Sequence, residues 1–105
     1  MKPDIAGDVE NYFDLMTIYG ECLQREYLQK EVEMLEKRME AARAAVLSIP
    51  DLKIQSAVWM RFITFQTVHR IECKTGRSRR TIYRYLEKGL EEIRAMNGTD
   101  QAGEE

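Results

Sequence analysis

Six basic side chains, Arg70, Lys74, Arg77, Arg79, Arg80 and Arg84, fall between positions 69 and 84 against a single acid, Glu72, a local balance of +5. Guanidinium forks at that density match phosphate oxygens and the paired acceptors of guanine, so the chemistry open to them is recognition rather than bond making. Their setting supplies the order. Residues 67–84 read T-V-H-R-I-E-C-K-T-G-R-S-R-R-T-I-Y-R, a helical pattern over Val68–Thr75 that meets Gly76, with Ser78 where an N-cap belongs and a second helix starting at Arg79. Glycine takes the positive φ that ends a helix, and a serine hydroxyl satisfies the free N–H groups that start one. The first turn of that second helix carries Arg79, Arg80, Tyr83 and Arg84, the set expected at base edges of a DNA major groove. Arg70, Lys74, Arg77, Ser78 and Lys88 are expected on phosphates, Ser78 together with the backbone N–H groups at the helix start. The competing reading of the same patch is a solvated, merely solubilising helix face.

Other chemistries find little support. His69 is the only histidine, and with Cys73 four residues on it makes two metal ligands, which do not form a site unless Cys22 is recruited; no metal and no cofactor are expected. P-loop, G-x-G-x-x-G, G-x-S-x-G and H-E-x-x-H runs are missing, and the carboxylates fall on helical faces as i,i+4 partners of Lys and Arg, so catalytic residues are not expected either. Cys22 and Cys73 lie in separate predicted helices and read as free thiols of a reducing cytosol. No apolar run approaches the ~18 residues that span a bilayer, and M-K-P-D-I-A-G-D lacks the core of a signal peptide, which points to the cytoplasm and away from membranes.

The formal charge of −2 hides an asymmetry. Residues 1–60 hold 7 Lys+Arg against 11 Asp+Glu, or −4, and residues 61–105 hold 9 against 7, or +2. A basic patch on an acidic body remains a footprint for phosphate, because counterion release depends on local contacts.

Around the patch the pattern predicts an all-α chain of 105 residues: an N-terminal long helix, as a helical hairpin or short coiled coil, followed by a C-terminal helix-turn-helix. One core with extensions is expected, organised as a helical association region at 1–50, a DNA-binding region at 51–96 and a disordered tail at 97–105. A short helix is predicted over Val9–Tyr19, with Asp8 as N-cap and Gly20 as stop or kink, then a long one from about Glu21 to Leu47. Leu28, Val32, Leu35, Met39, Ala42 and Val46 recur there at alternating spacings of four and three, a heptad seam that serves either self-association or an intramolecular hairpin. With Glu31 and Arg38 on one flank and Glu36 and Arg43 on the other, a parallel dimer sets like charges together, so an antiparallel partner is expected. Asp51, after Pro50, caps a predicted helix over Leu52–Thr64, and Trp59, Phe62 and the following Phe65 read as core. The last helix, Arg79 to about Met96, turns Ile82, Leu86, Gly89 and Ile93 inward.

Residues 57–94 resemble the region-4-like helix-turn-helix of sigma factors and, more closely, phage transcriptional regulators of the RinA and ArpU type. The carrying residues are Arg61-Phe62-Ile63, then Thr67, Ile71, Gly76, Ser78 to Arg84, and Gly89-Leu90. Glu72, Thr75 and Arg77 depart from that motif, which has small or apolar residues there. The resemblance implies sequence-specific binding of double-stranded DNA by a phage or prophage transcriptional regulator in a bacterial host cell; a single module making a few such contacts binds weakly, so a homodimer on a two-fold site is expected. The alternative is an interaction module of the same fold that docks on RNA polymerase or another host complex without reading DNA.

Overall fold

A computed structural model describes residues 4–97, and all of its regular structure is helical: α1 (Ile5–Glu10), α2 (Tyr12–Leu23), α3 (Gln29–Leu47), α4 (Leu52–Val58), α5 (Val68–Thr75) and α6 (Arg79–Asn97). A 3-10 turn at Glu26–Leu28 precedes α3, and a π-helical turn at Trp59–Ile63 extends α4. Asn97 closes α6, and the rest of the tail expected to be disordered lies outside the described residues. No helix among the described residues is long and apolar enough to cross a membrane.

The first helix starts earlier than the sequence suggests. Asp4 rather than Asp8 caps it, accepting the Gly7 N–H at 2.9 Å. Asp8 then falls a turn inside, 8% exposed, where it accepts Nε of Arg38 at 3.2 Å and Nη2 at 2.7 Å. A carboxylate withdrawn from water needs a two-pronged partner of this kind. The same bond raises the Arg38 pKa above its ordinary value, against the opposing pull of partial burial.

The long helix expected from Glu21 to Leu47 is two helices. α2 continues through Gly20 to Leu23, Arg25 adopts an extended conformation (φ −129°, ψ 110°), and the chain reverses through the 3-10 turn. Every residue from Glu21 to Leu28 is a tolerable helix former, so the break has its cause in packing: reversal brings the buried side of α2 onto α3. The pairing is antiparallel, since the Tyr12 hydroxyl accepts from Arg43 while, two turns along, the Tyr19 hydroxyl donates to the Glu36 carboxylate at 2.7 Å. That bond to Glu36 holds the Tyr19 phenol protonated and raises its pKa. In the heptad seam Leu35, Ala42 and Val46 are buried, and Leu28, Val32 and Met39 are half-buried, with α1 and α2 of the same chain as neighbours. Of the two uses open to the stripe, the fold shows the intramolecular one, and its flanking Glu36, Arg38 and Arg43 are bonded to Tyr19, Asp8 and Tyr12.

At Pro50 the chain turns without leaving the core. Asp51 caps α4 by accepting the Lys53 N–H at 2.9 Å, and the Gln55 amide donates to the carbonyls of Leu47 (3.0 Å) and Ile49 (3.1 Å), which the end of α3 leaves free. One cluster spans the junction: Val9, Val46 and Ile49 pack with Val58, Ile71, Ile82 and Ile93. α4 and α6 cross at Gly89, where a Cβ would lie 2.5 Å from Cγ2 of Val58 and 3.1 Å from Cγ2 of Ile54. At such an approach any side chain forces Val58 to shift, which favours glycine.

The helix expected over residues 52–64 widens at its end. The Thr64 N–H reaches the Trp59 carbonyl (3.1 Å) and the Gln66 N–H the Met60 carbonyl (2.9 Å), steps of five and six residues. A wide turn advances the phase of the side chains, which a uniform helical period does not anticipate. Trp59 and Phe62 end half-buried. Phe65, expected in the core, instead takes a left-handed backbone (φ 62°), is 37% exposed and sets its ring edge-on to Phe13, with centroids 5.2 Å apart.

Candidate nucleic-acid interface

Local chemistry builds the α5–α6 unit. Thr67 opens α5, its Oγ1 accepting the Arg70 N–H at 3.2 Å, and Gly76 ends it at φ 72°, ψ 15°, with its N–H on the Glu72 carbonyl at 2.9 Å. Ser78 starts α6: its Oγ accepts the Thr81 N–H at 3.2 Å and donates to Thr81 Oγ1 at 3.0 Å. The positive φ falls on the glycine and the capping bond on the serine, as the residue types required. Ile71 and Ile82, both out of water, tie the two helices to the common core.

On this frame Arg70, Lys74, Ser78, Arg79, Arg80, Tyr83, Arg84 and Lys88 are all exposed. The structure separates them by what each touches. Arg79 leans back on α5, its Nη2 3.5 Å from the Glu72 carboxylate, which also lies 3.6 Å from Nδ1 of His69. With the Arg79 side chain 61% exposed this pair contributes at most about 1 kcal/mol, so it steers the guanidinium without locking it. Arg77 is half-buried and lies 5.8 Å over the Tyr85 ring, while its N–H reaches Thr75 Oγ1 at 3.3 Å. Thr75 in turn donates to the Ile71 carbonyl at 2.7 Å. Glu72, Thr75 and Arg77, the positions that depart from the resembled motif, thus each have a polar or aromatic partner. Arg77 is turned from the exposed rim toward the cleft between α4 and α6.

Arg80, Tyr83 and Arg84 converge with Arg61 around a shallow groove of about 540 Å³, floored by Phe62, Leu86 and Leu90. Among the described residues neither Arg80 nor Arg84 has an ion-pair partner. Arg61 was not among the expected contact residues, because it sits in a helix that reads as core; Arg61-Phe62-Ile63 carried its only signal. The π-helical turn swings it to the rim, where its Nη1 donates to the Gln66 carbonyl at 3.4 Å. Glu87 lines the same groove, and Glu91 follows one turn on. The basic side chains of α6 fall in its first two turns apart from Lys88, flanked by those acids, and Arg94, which lies 3.6 Å from the Glu10 carboxylate. This suits a helix that enters an anionic groove by its N-terminal end.

His69 and Cys73 touch on the exposed side of α5, Sγ 3.8 Å from Nε2, and no group of three His, Cys, Asp or Glu positioned to hold a metal occurs among the described residues. Comparison with known proteins returned no matching family model, no matching curated protein and no matching solved structure.

Proposed function

We propose that the chain binds double-stranded DNA through α5, the Gly76 turn and the first two turns of α6, and acts as a transcriptional regulator of phage or prophage type. The observation that carries this reading is the convergence of half-buried Arg61 with exposed Arg80, Tyr83 and Arg84 around one groove, beside a helix start that Ser78 caps. Arg80, Tyr83 and Arg84 read base edges, with Arg79 reaching them once it releases Glu72. Arg61, Arg70, Lys74, Ser78 and Lys88 lie on phosphates and fix the register.

The test is selection of bound duplexes from a random pool at about 150 mM salt, where non-specific electrostatic binding is already weak. An enriched sequence is expected, whose affinity falls with salt at a log–log slope near −3 to −4 if Arg61, Arg70, Lys74 and Lys88 neutralise about four phosphates. Arg80→Ala with Arg84→Ala should abolish the preference while leaving helicity unchanged, whereas Arg61→Ala should weaken all duplexes alike and reduce the slope by about 1. Unchanged affinity of the Arg80/Arg84 double variant for the selected sequence rejects the assignment.

The apolar floor of Phe62, Leu86 and Leu90 favours a second reading, in which the groove receives a protein surface such as RNA polymerase or another host complex. Binding to a protein partner that is insensitive to salt, with no duplex enriched, selects that reading.

A further inference from the structure

Arg77 is the basic residue of the α5–α6 turn that the arginine rim leaves out. It is half-buried, with its guanidinium 5.8 Å over the Tyr85 ring. Among the described residues no carboxylate lies within ion-pair distance of it and no oxygen accepts from its side chain. A guanidinium carries five N–H donors in a planar fork that meets a carboxylate in two parallel bonds, and a charge partly withdrawn from water gains most from such a partner.

The side chain opens onto the cleft of about 260 Å³ between α4, the end of α5 and the start of α6. Buried Ala57, Ile71 and Ile82 make an apolar floor and Tyr85 one wall. Lys53 lines the cleft from α4, exposed and likewise without an ion-pair partner among the described residues. Two cations and no acid therefore face this space, in a chain with 18 Asp+Glu against 16 Lys+Arg. The local backbone holds the arrangement: Thr75 donates to the Ile71 carbonyl at 2.7 Å and accepts the Arg77 N–H at 3.3 Å, just past the left-handed Gly76. With its hydroxyl bonded to the backbone, Thr75 leaves Arg77 and Lys53 as the polar groups free to meet an anion.

We propose that this cleft binds a small carboxylic acid with an aromatic or branched apolar body, the carboxylate on the Arg77 fork near Lys53 and the body on the floor against Tyr85. A volume of 260 Å³ is the share of roughly nine water molecules, which a single ring bearing a carboxylate fills. A bare phosphate would satisfy Arg77 and leave the apolar floor wet. A neutral ring would cover the floor and leave the guanidinium unmet, so a ligand with both parts uses the whole cleft. No carboxylate, imidazole or thiol lines the space, and what it offers is binding. Arg77 directly precedes Ser78, the cap of α6, so the ligand is held where the turn meets the helix start, off the arginine rim.

The proposal does not rest on DNA binding and is tested without DNA. Phenylacetate titrated into the full chain at fixed ionic strength and neutral pH should shift the amide NMR signals of Ala57, Thr75 and Tyr85 saturably, with a Kd of about 1 mM. Phenylethyl alcohol, which lacks the charge, and acetate and inorganic phosphate, which lack the ring, should each bind about tenfold more weakly. Arg77→Gln should weaken phenylacetate by about tenfold or more, and Lys53→Glu by about fivefold. The second change, on the exposed side of α4, keeps the readout should the first disturb the turn. No saturable shift up to about 10 mM phenylacetate, equal binding of phenylethyl alcohol or of phosphate, or an affinity indifferent to both substitutions would overturn the proposal. Shifts centred on Arg80 and Arg84 would put the anion on the rim and overturn it as well.

Discussion

Replacing Gly89 by alanine adds one methyl group at the tightest crossing in the protein, and the structure fixes what it meets. The new Cβ would lie 2.5 Å from Cγ2 of Val58, 3.1 Å from Cγ2 of Ile54 and 3.5 Å from Cδ1 of Ile49. Carbon atoms prefer about 3.5–4.0 Å, so Val58 must retreat by about 1 Å. It has nowhere to go: Val58 is 0% exposed, and its branched side chain is stiff at χ1. Overpacking of this kind costs about 1–3 kcal/mol, partly offset by the ~1 kcal/mol that alanine gains over glycine inside a helix. The net expectation is a loss of about 1 kcal/mol, read as a fall in Tm of roughly 4–8 °C for a domain of this size.

Gly20→Ala is the internal control, since its Cβ enters open space in a helix of the same chain and should bring a gain of about 0.5–1 kcal/mol. Both variants are melted at one low protein concentration and followed by circular dichroism. Val58→Ala in the Gly89→Ala background should recover part of the loss, giving a favourable coupling in the double-mutant cycle. If Gly89→Ala raises Tm as Gly20→Ala does, the close α4–α6 crossing is wrong, and with it the position of the Arg61 rim against α6.

Gly76→Ala tests a different constraint: nothing lies within 4 Å of its Cβ, but φ is 72°, so the cost should be conformational only, about 1 kcal/mol by urea denaturation, with Gly76→Asn milder than Gly76→Ala. Arg38→Ala leaves the Asp8 carboxylate, only 11% exposed, without its guanidinium, and should cost about 1–2 kcal/mol in the same assay; Asp8→Ala with Arg38→Ala should cost less than the sum of the single changes.

What the sequence made legible follows how local each determinant is. The α5–α6 turn could be read residue by residue because its causes act within four residues: a glycine that accepts φ 72°, a serine whose hydroxyl reaches the Thr81 N–H, a threonine that does the same for Arg70. The pattern pointed to Asp8 as the cap of the first helix, whereas the distant Arg38 holds Asp8 inside and Asp4 takes the cap. The break at Arg25 has no glycine or proline to announce it, since its cause is the reversal that buries α2 on α3. Periodicity found the α3 seam but could not say whose helix fills it, because an antiparallel neighbour from the same chain and one from a second copy demand the same stripe.

The candidate site divides along the same line. The basic residues of α5 and α6 were visible as a charge cluster beside a capped turn, whereas Arg61 was hidden by a wide turn that no residue type signals. A uniform helix over residues 52–64 directs the end of α4 by a regular 3.6-residue period; the five-residue step from Trp59 to Thr64 advances that direction, lifting Arg61 to the rim and turning Phe65 out toward Phe13. One irregular turn therefore supplies both the cation that completes the arginine rim and the aromatic ring that extends the apolar face of α2. Removing the extra residue of that turn, by deleting Met60, should disturb both together: weaker binding of all duplexes, as for Arg61→Ala, and loss of the Phe13–Phe65 ring contact, read as a change in the near-ultraviolet circular dichroism. Loss of only one of the two in a deletion variant that retains its helicity would show that the surfaces are built independently.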